Sequence, residues 1–129
     1  MATYPKVRVA QGQLSAAEVN ANSRAGTVIV EGESGRTITV VDGWLRAIGG
    51  NAAGATAVVL EDTDGTDAVS AAAAGLAQNV YARFGGSNIT ATGVGTALTK
   101  HEGLRIGCTV GDLITATALD YCVFYTIDA

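Results

Sequence analysis

Short apolar runs separated by turn-forming residues dominate the chain from Arg36 to Ile127. Runs of Val, Ile, Thr and Ala that are broken by Gly, Asp and Asn are typical of β-strands joined by tight turns. The Ala-rich stretch Ser70–Asn79 is ambiguous, and we assign it to a strand end and one irregular turn. The clear runs predict strands at Thr27–Glu31, Arg36–Ile48, Ala57–Glu61, Val80–Phe84, Ile89–Thr92, Gly103–Thr109 and Leu113–Ile127. About eight strands with almost no helix between them predict an all-β fold, an antiparallel β-sandwich or jelly-roll-like domain.

The apolar residues of Arg36–Ile48 change faces midway under strict alternation, between Ile38 and Leu45. One extra residue at Asp42-Gly43 would return them to a common face, so we expect a β-bulge there. Trp44, the only tryptophan of the chain, lies beside this bulge. It is either a core anchor or a contact residue at an interface.

The first 26 residues carry a different pattern. Ser15 and Glu18 have the spacing of a capping box, and Leu14 and Val19 occupy the two flanking staple positions, so we expect a short helix here. We therefore divide the chain into an N-terminal arm with a short capped helix, residues 1–26, and a β-sandwich domain, residues 27–129. Because the arm is short and polar, we expect it to be mobile until it docks and removable without loss of the fold.

The last predicted strand is apolar on both faces, although a half-buried strand should be polar on one. One face is therefore expected to meet the core and the other a neighbouring subunit. We assign the even positions to an oligomer interface: Ile114, Ala116, Ala118, Cys122 and Phe124.

Composition supports subunit contacts. Charged residues make up only 16% of the chain and hydrophobic residues 48%, so some apolar surface is expected to be covered by other chains. The net charge of −4 argues against nucleic acid as a partner. The arm is mildly basic, with Lys6, Arg8 and Arg24 against Glu18, and the body is acidic.

Neither a membrane span nor a secretory signal is expected. No stretch approaches the roughly 20 consecutive apolar residues that a spanning helix needs, and the first residues have no apolar signal region. Without a secretory signal, the protein is expected in a reducing compartment, where disulfides are rare. We therefore expect Cys108 and Cys122 to be free, buried thiols.

Chemistry-bearing residues do not converge in the sequence. The acidic run Asp62–Asp67 lacks the EF-hand pattern, because its sixth and twelfth positions are Asp67 and Ala73, so we assign it to a hairpin turn. His101, the one histidine, lies in a charged loop without a recognisable nucleophile motif. Gly93-Val94-Gly95 begins a dinucleotide fingerprint but lacks its third glycine. We expect no enzyme activity, no cofactor and no metal site.

The layout of the chain resembles the small capsid decoration proteins of tailed bacteriophages, also called cement or head-stabilisation proteins. The resemblance is carried by the capped polar leader, the segments Gly35–Ala47 and Leu98–Ile106, the turn-rich middle and the final hydrophobic strand. It implies a jelly-roll-like domain that assembles as a trimer and bridges neighbouring subunits of the mature capsid. No catalytic residues are implied.

The expected function is therefore that of a structural virion protein that decorates and stabilises a phage capsid. Its expected partners are the major capsid protein and itself as a homotrimer, with no nucleic acid or membrane, and its place is the capsid exterior after synthesis in the host cytoplasm. The alternative is a receptor- or glycan-binding head of a tail fibre or spike, which the low aromatic content of 5% disfavours. The expected capsid-binding arm consists of Lys6, Arg8, Leu14, Ser15, Glu18, Val19 and Arg24.

Overall fold

The computed structural model describes residues 6–54, 57–65, 67–73, 76–86 and 89–128. In these residues the chain forms nine strands and one short helix. In chain order they are β1 (Arg8–Ser15), α1 (Ala16–Asn20), β2 (Thr27–Val30), β3 (Thr37–Ile48), β4 (Ala57–Asp62), β5 (Ala68–Ala73), β6 (Ala82–Arg83), β7 (Ile89–Thr90), β8 (Leu104–Thr109) and β9 (Ala118–Asp128). The predicted all-β class is confirmed.

Two antiparallel sheets pack face to face. One has four strands in the order β1-β9-β3-β6, and the other has five in the order β2-β8-β4-β5-β7. The first strand pairs with the last in one sheet, and the second pairs with the second to last in the other. This succession gives the predicted jelly-roll-like sandwich. The core between the sheets is built mostly from Leu, Ile, Val and Ala.

The β3–β9 pair is the longest ladder and contains the predicted bulge. The register shifts between Val40 and Asp42, so the extra residue is Val41, one position before the expected site. Ile38 and Leu45 are consequently both buried in the core, on a common face.

Residues assigned to a separate arm lie within the sandwich. The short capped helix is confirmed: Ser15 Oγ accepts a hydrogen bond from the Glu18 amide, and the Glu18 carboxylate accepts one from the Ser15 amide. Strand β1, which the sequence did not predict, precedes this helix and pairs with β9 from Arg8 to Ser15. Leu14 and Val19 are buried in the common core. Because β1 has only two larger apolar side chains, Val9 and Leu14, its pairing cannot be recognised from its own sequence.

The final strand begins later than predicted. Residues 113–117 form a loop, and β9 runs from Ala118 to Asp128. Because Ile114 and Ala116 lie in this loop, their side chains do not follow the alternation of β9. The five residues of the expected interface therefore do not share one face of a strand. Ala116 packs in the core, whereas Ile114 is exposed.

The ambiguous alanine run lies in β5 as far as Ala73, and Ala74 falls outside the described residues. Among the described residues, no helix has the length and apolar character that crossing a bilayer requires.

Candidate interaction surface

The four-stranded sheet has an outer face turned away from the core. Because neighbouring strands are in register, outward residues form rows across the sheet. One row runs through Arg46, Asp120 and Gln13, the next through Arg83, Trp44, Cys122 and Gln11, and a third through Asp42, Phe124 and Val9. We call these residues, together with Tyr81, the outer face.

A hydrogen-bonded network crosses this face. Arg46 Nη2 donates to Asp120 Oδ2 at 2.5 Å, and Gln13 Nε2 donates to Asp120 Oδ1 at 2.8 Å. On the other side, Arg46 Nη1 donates to the Tyr81 hydroxyl at 2.9 Å. The network fixes these side chains in one geometry, so the face is preorganised for contact.

Electrostatics hold Asp120 in its charged form. Burial alone would raise the pKa of Asp120, but the hydrogen bonds from Arg46 and Gln13 outweigh it, and the pKa is lowered from its ordinary value. The same hydrogen bond to Asp120 raises the pKa of Arg46. The pair is therefore fully ionised at neutral pH and neutralises its own charge.

Aromatic rings surround the network. The Tyr81 ring stands edge-on to Trp44 with centroids 4.6 Å apart, and the Arg46 guanidinium lies 4.7 Å from the Tyr81 centroid. Such contacts stabilise both the ring pair and the cation. Tyr81 is 55% exposed, and Trp44 and Phe124 are half-buried. Trp44 lies on the outer face, so it is not a core anchor.

A small pocket opens at the edge of this sheet, beside the bulge. Two segments cover the edge of β3: the Phe84 amide donates to Gly43 O at 2.9 Å, and the Gly95 amide donates to Val40 O at 2.8 Å. The bulged Val41 lies between them and leaves a gap. The resulting bulge pocket measures about 160 Å³ and is lined by Val41, Asp42, Phe84, Gly85, Ala91 and Val94. Its lining is mostly apolar, and the Asp42 carboxylate is paired with Arg83 at 3.1 Å.

The loop between β8 and β9 carries two exposed apolar residues, Val110 and Ile114, which we call the apolar tip. Val110 is 79% exposed and Ile114 is 77% exposed. Val110 also has a φ of +71°, which a β-branched residue rarely adopts. A strained, exposed apolar residue is an observation that points to function rather than to stability.

The predicted arm residues are placed differently from expectation. Leu14 and Val19 are buried, and Ser15 and Glu18 cap the helix. Arg24 forms an exposed ion pair with Asp112 at 3.5 Å. Lys6 and Arg8 are exposed at the beginning of β1. The predicted arm residues therefore do not form one continuous binding surface. Four of them, Leu14, Ser15, Glu18 and Val19, stabilise the core or the helix cap.

The predicted interface residues also separate. Ala118, Cys122 and Phe124 share the outer side of β9, but the side chains of Ala118 and Cys122 are buried by their neighbours within the monomer. Phe124 contributes to the outer face, and Ile114 to the apolar tip.

Sequence reasoning missed Arg46, Asp120, Gln13 and Tyr81. The available signal was that Arg46 and Asp120 are charged residues within mostly apolar segments, Trp44–Ile48 and Ala118–Tyr125. The pairing of β3, β9 and β1, which brings them together, depends on contacts between distant parts of the chain.

Acidic side chains do meet near the 62–67 turn. Carboxylate oxygens of Asp62, Asp64 and Glu102 lie within 4.8 Å of one another. Burial raises the pKa of Asp62, the hydrogen bond from the Asp67 amide opposes this, and the neighbouring Asp64 adds to the rise. Glu102 also accepts a hydrogen bond from the Thr63 hydroxyl. The turn is confirmed, with Gly65 in the left-handed region.

His101 has a structural contact. Its Nδ1 accepts a hydrogen bond from the Gly35 amide at 2.7 Å, and its own amide donates to Arg36 O at 3.0 Å. The ring therefore joins two loops at one end of the sandwich.

Cys108 and Cys122 are free and buried, as predicted. Burial raises the pKa of each thiol, so both are poorly reactive in the folded protein.

Comparisons with known proteins return nothing for this chain: no family model, no curated protein and no solved structure matches it.

Proposed function

We propose that this protein is a non-catalytic virion protein that decorates and stabilises a phage capsid by bridging neighbouring major capsid subunits as a homotrimer. It is made in the host cytoplasm and sits on the capsid exterior, without a cofactor, nucleic acid or membrane as partner. The layout of the sequence and the jelly-roll-like sandwich both support this proposal.

The outer face is the observation that carries it. Tryptophan, tyrosine and arginine are the residues most enriched among those that dominate binding energy at protein interfaces. Here the half-exposed Tyr81 ring contacts both Trp44 and Arg46 on the outer face. Because Arg46 is already paired with Asp120, covering the face would not bury an unpaired charge. A protein surface is thus a suitable partner.

This proposal moves the capsid contact from the arm to the outer face. Lys6 and Arg8 adjoin the first strand and can add contacts to acidic capsid surface, while Leu14 and Val19 hold the sheet together. Three copies of a weak contact in a closed trimer raise the overall affinity by avidity, on the order of 10² to 10⁴.

Binding of the purified protein to expanded capsids tests the proposal, with capsid-free tails as the comparison. Co-sedimentation should occur with capsids alone. Tyr81→Ala should weaken it by at least about 10-fold, since truncation of an aromatic hot-spot residue costs about 2 kcal/mol or more and about 1.4 kcal/mol already corresponds to 10-fold. Val28→Asp, on the other sheet, is the matched control and should bind normally. Equal binding of the Tyr81 variant and the wild type would refute the role of the outer face, and absence of capsid binding would refute the function.

One observation favours the alternative, a receptor- or glycan-binding head domain. The half-exposed Tyr81 ring, flanked by the polar groups of Arg46, Asp120 and Gln13, is also suited to a sugar. Glycan binding that is lost in Tyr81→Ala, in a protein that ignores capsids, would establish this alternative.

A further inference from the structure

We propose that the apolar tip of one copy occupies the bulge pocket of the next copy, and that this head-to-tail contact closes the protein into a ring. The inference deepens the proposed function, because it rests on the trimer and names the contact that forms it. It concerns Val110 and Ile114 on one side, and the pocket around Val41, Phe84 and Val94 on the other.

The tip is held rigidly before any contact is made. Asn20 grips the loop at Leu113: its Oδ1 accepts from the Leu113 amide at 2.8 Å, and its Nδ2 donates to the Leu113 carbonyl at 3.1 Å. The buried Leu113 side chain and a hydrogen bond from the Ile114 amide to Ala53 O at 3.0 Å complete the support. The exposure of Ile114 is therefore a fixed feature of a well-anchored loop, and little entropy is lost when it docks.

The pocket matches the tip in size and chemistry. A cavity of about 150 Å³ in another protein holds a benzene molecule, and the bulge pocket has a volume of about 160 Å³. It can therefore take one branched aliphatic side chain such as that of Ile114. The bulged Val41 is itself exposed, so its surface gains cover from the same contact.

Each of the two surfaces carries one exposed ion pair, so neither brings a net charge to the contact. The tip is flanked by the Arg24–Asp112 pair, and the pocket by the Asp42–Arg83 pair. When the surfaces meet, Asp112 can face Arg83 and Arg24 can face Asp42, so that each charge keeps an opposite partner. These pairs are exposed and give orientation more than affinity.

The two surfaces lie apart on one molecule, which decides the kind of assembly. Ile114 precedes the beginning of β9 at Ala118, whereas Asp42 of the pocket pairs with Phe124, several residues further along this strand. At about 3.3 Å per residue, the surfaces are separated by roughly 20 Å or more. A single copy cannot fill its own pocket, and two different patches make a heterologous contact, which forms closed rings when the rotation closes.

Cysteine cross-linking tests this contact directly. The double variant Ile114→Cys/Val94→Cys, treated with a short bismaleimide, should give covalently closed trimers. A mixture of the two single variants should give only cross-linked dimers, and each single variant alone should give none. The wild type controls for Cys108 and Cys122. Cross-links within Ile114→Cys alone, or none in the double variant, would overturn the proposal.

Sedimentation supplies a second measurement. Ile114→Asp should raise the concentration at which half the chains assemble by at least about 10-fold, because each contact loses a buried isoleucine side chain. Ala91→Leu, which fills the pocket from its own wall, should act in the same direction. Val28→Asp should change nothing. A trimer that persists in both tip and pocket variants would refute the contact.

These results are independent of capsid binding. If the ring forms as described but ignores capsids, the proposed function fails and the interface stands. If capsids bind while Ile114→Asp remains a normal trimer, the interface fails and the function stands.

Discussion

Arg46 and Asp120 face each other across the β3–β9 ladder, with 2.5 Å between Nη2 and Oδ2, and they connect the aromatic rings of one sheet edge to Gln13 of the other. The pair joins the two central strands of the four-stranded sheet. Its two charged side chains point away from the core, so this side of the sheet is available for contact rather than core packing.

The acid dependence of this pair is testable. Because the pKa of Asp120 is lowered in the folded state, the pair stabilises the fold above the unfolded pKa of about 3.9, and this contribution is lost as the pH falls through the folded pKa. Asp120→Asn should therefore lower the urea midpoint at pH 7, and the difference from wild type should vanish towards pH 2. Asp112→Asn, in the exposed pair with Arg24, is the control and should have a smaller effect at pH 7.

Replacement of Asp62 should change stability in the opposite direction from replacement of Asp120. Its pKa is raised in the folded state, so its ionisation opposes folding: the folded state is favoured below the unfolded pKa, and this advantage is lost as the pH rises through the folded pKa. Asp62→Asn keeps an oxygen that can accept from the Asp67 amide and removes the charge beside Asp64. It should raise the melting temperature at pH 7, and the gain should disappear below about pH 4. A loss of stability at pH 7 would contradict this electrostatic account.

Deletion of residues 1–25 should damage the fold. It removes β1 and α1, exposes the edge of β9, and takes Leu14 and Val19 out of the core. Burial of two such side chains is worth about 3–6 kcal/mol, much of the total stability of an ordinary domain. Circular dichroism and urea unfolding should show a largely unfolded chain, contrary to a removable arm. Lys6→Ala, at an exposed position before β1, is the control and should leave the urea midpoint unchanged.

Val110→Asn should separate stability from assembly. Asparagine tolerates the left-handed region, which costs a β-branched residue about 1–2 kcal/mol, so the free energy of unfolding of the dilute chain should rise by up to about 1 kcal/mol. Assembly should weaken, because the apolar tip loses half of its surface. Urea unfolding and sedimentation measure the two effects. If the free energy of unfolding rises and assembly also becomes stronger, Val110 is not a contact residue.

Local patterns predicted most of the strands. The capping box at Ser15 and Glu18, the turn at Gly65 and the bulge near Asp42 depend on neighbours within a few residues, and the sequence located each of them within one position. The apolar alternation of β3 likewise predicted its buried face, because a period of two is a local property.

Non-local pairing explains what the sequence did not reveal. Strand β1 has little apolar alternation and is extended because β9 supplies its hydrogen bonds. Ile114 and Ala116 were placed on one face by extending the strand too far, since Asn20 and Ala53 hold that segment as a loop. The outer face needed four strands in register, and the bulge pocket needed a segment near residue 94 to lie against β3.

The central position of β9 in its sheet also sets the order of events in folding. Both β1 and β3 depend on it for their backbone pairing, so the four-stranded sheet cannot form until β9 is available. Pairing β1 with β9 closes a loop of roughly a hundred residues, which costs conformational entropy. Folds dominated by such long-range pairings take milliseconds to seconds to form. During that interval the apolar strands stay open to other chains, so a yield that falls with expression rate or temperature is the behaviour to expect of this molecule.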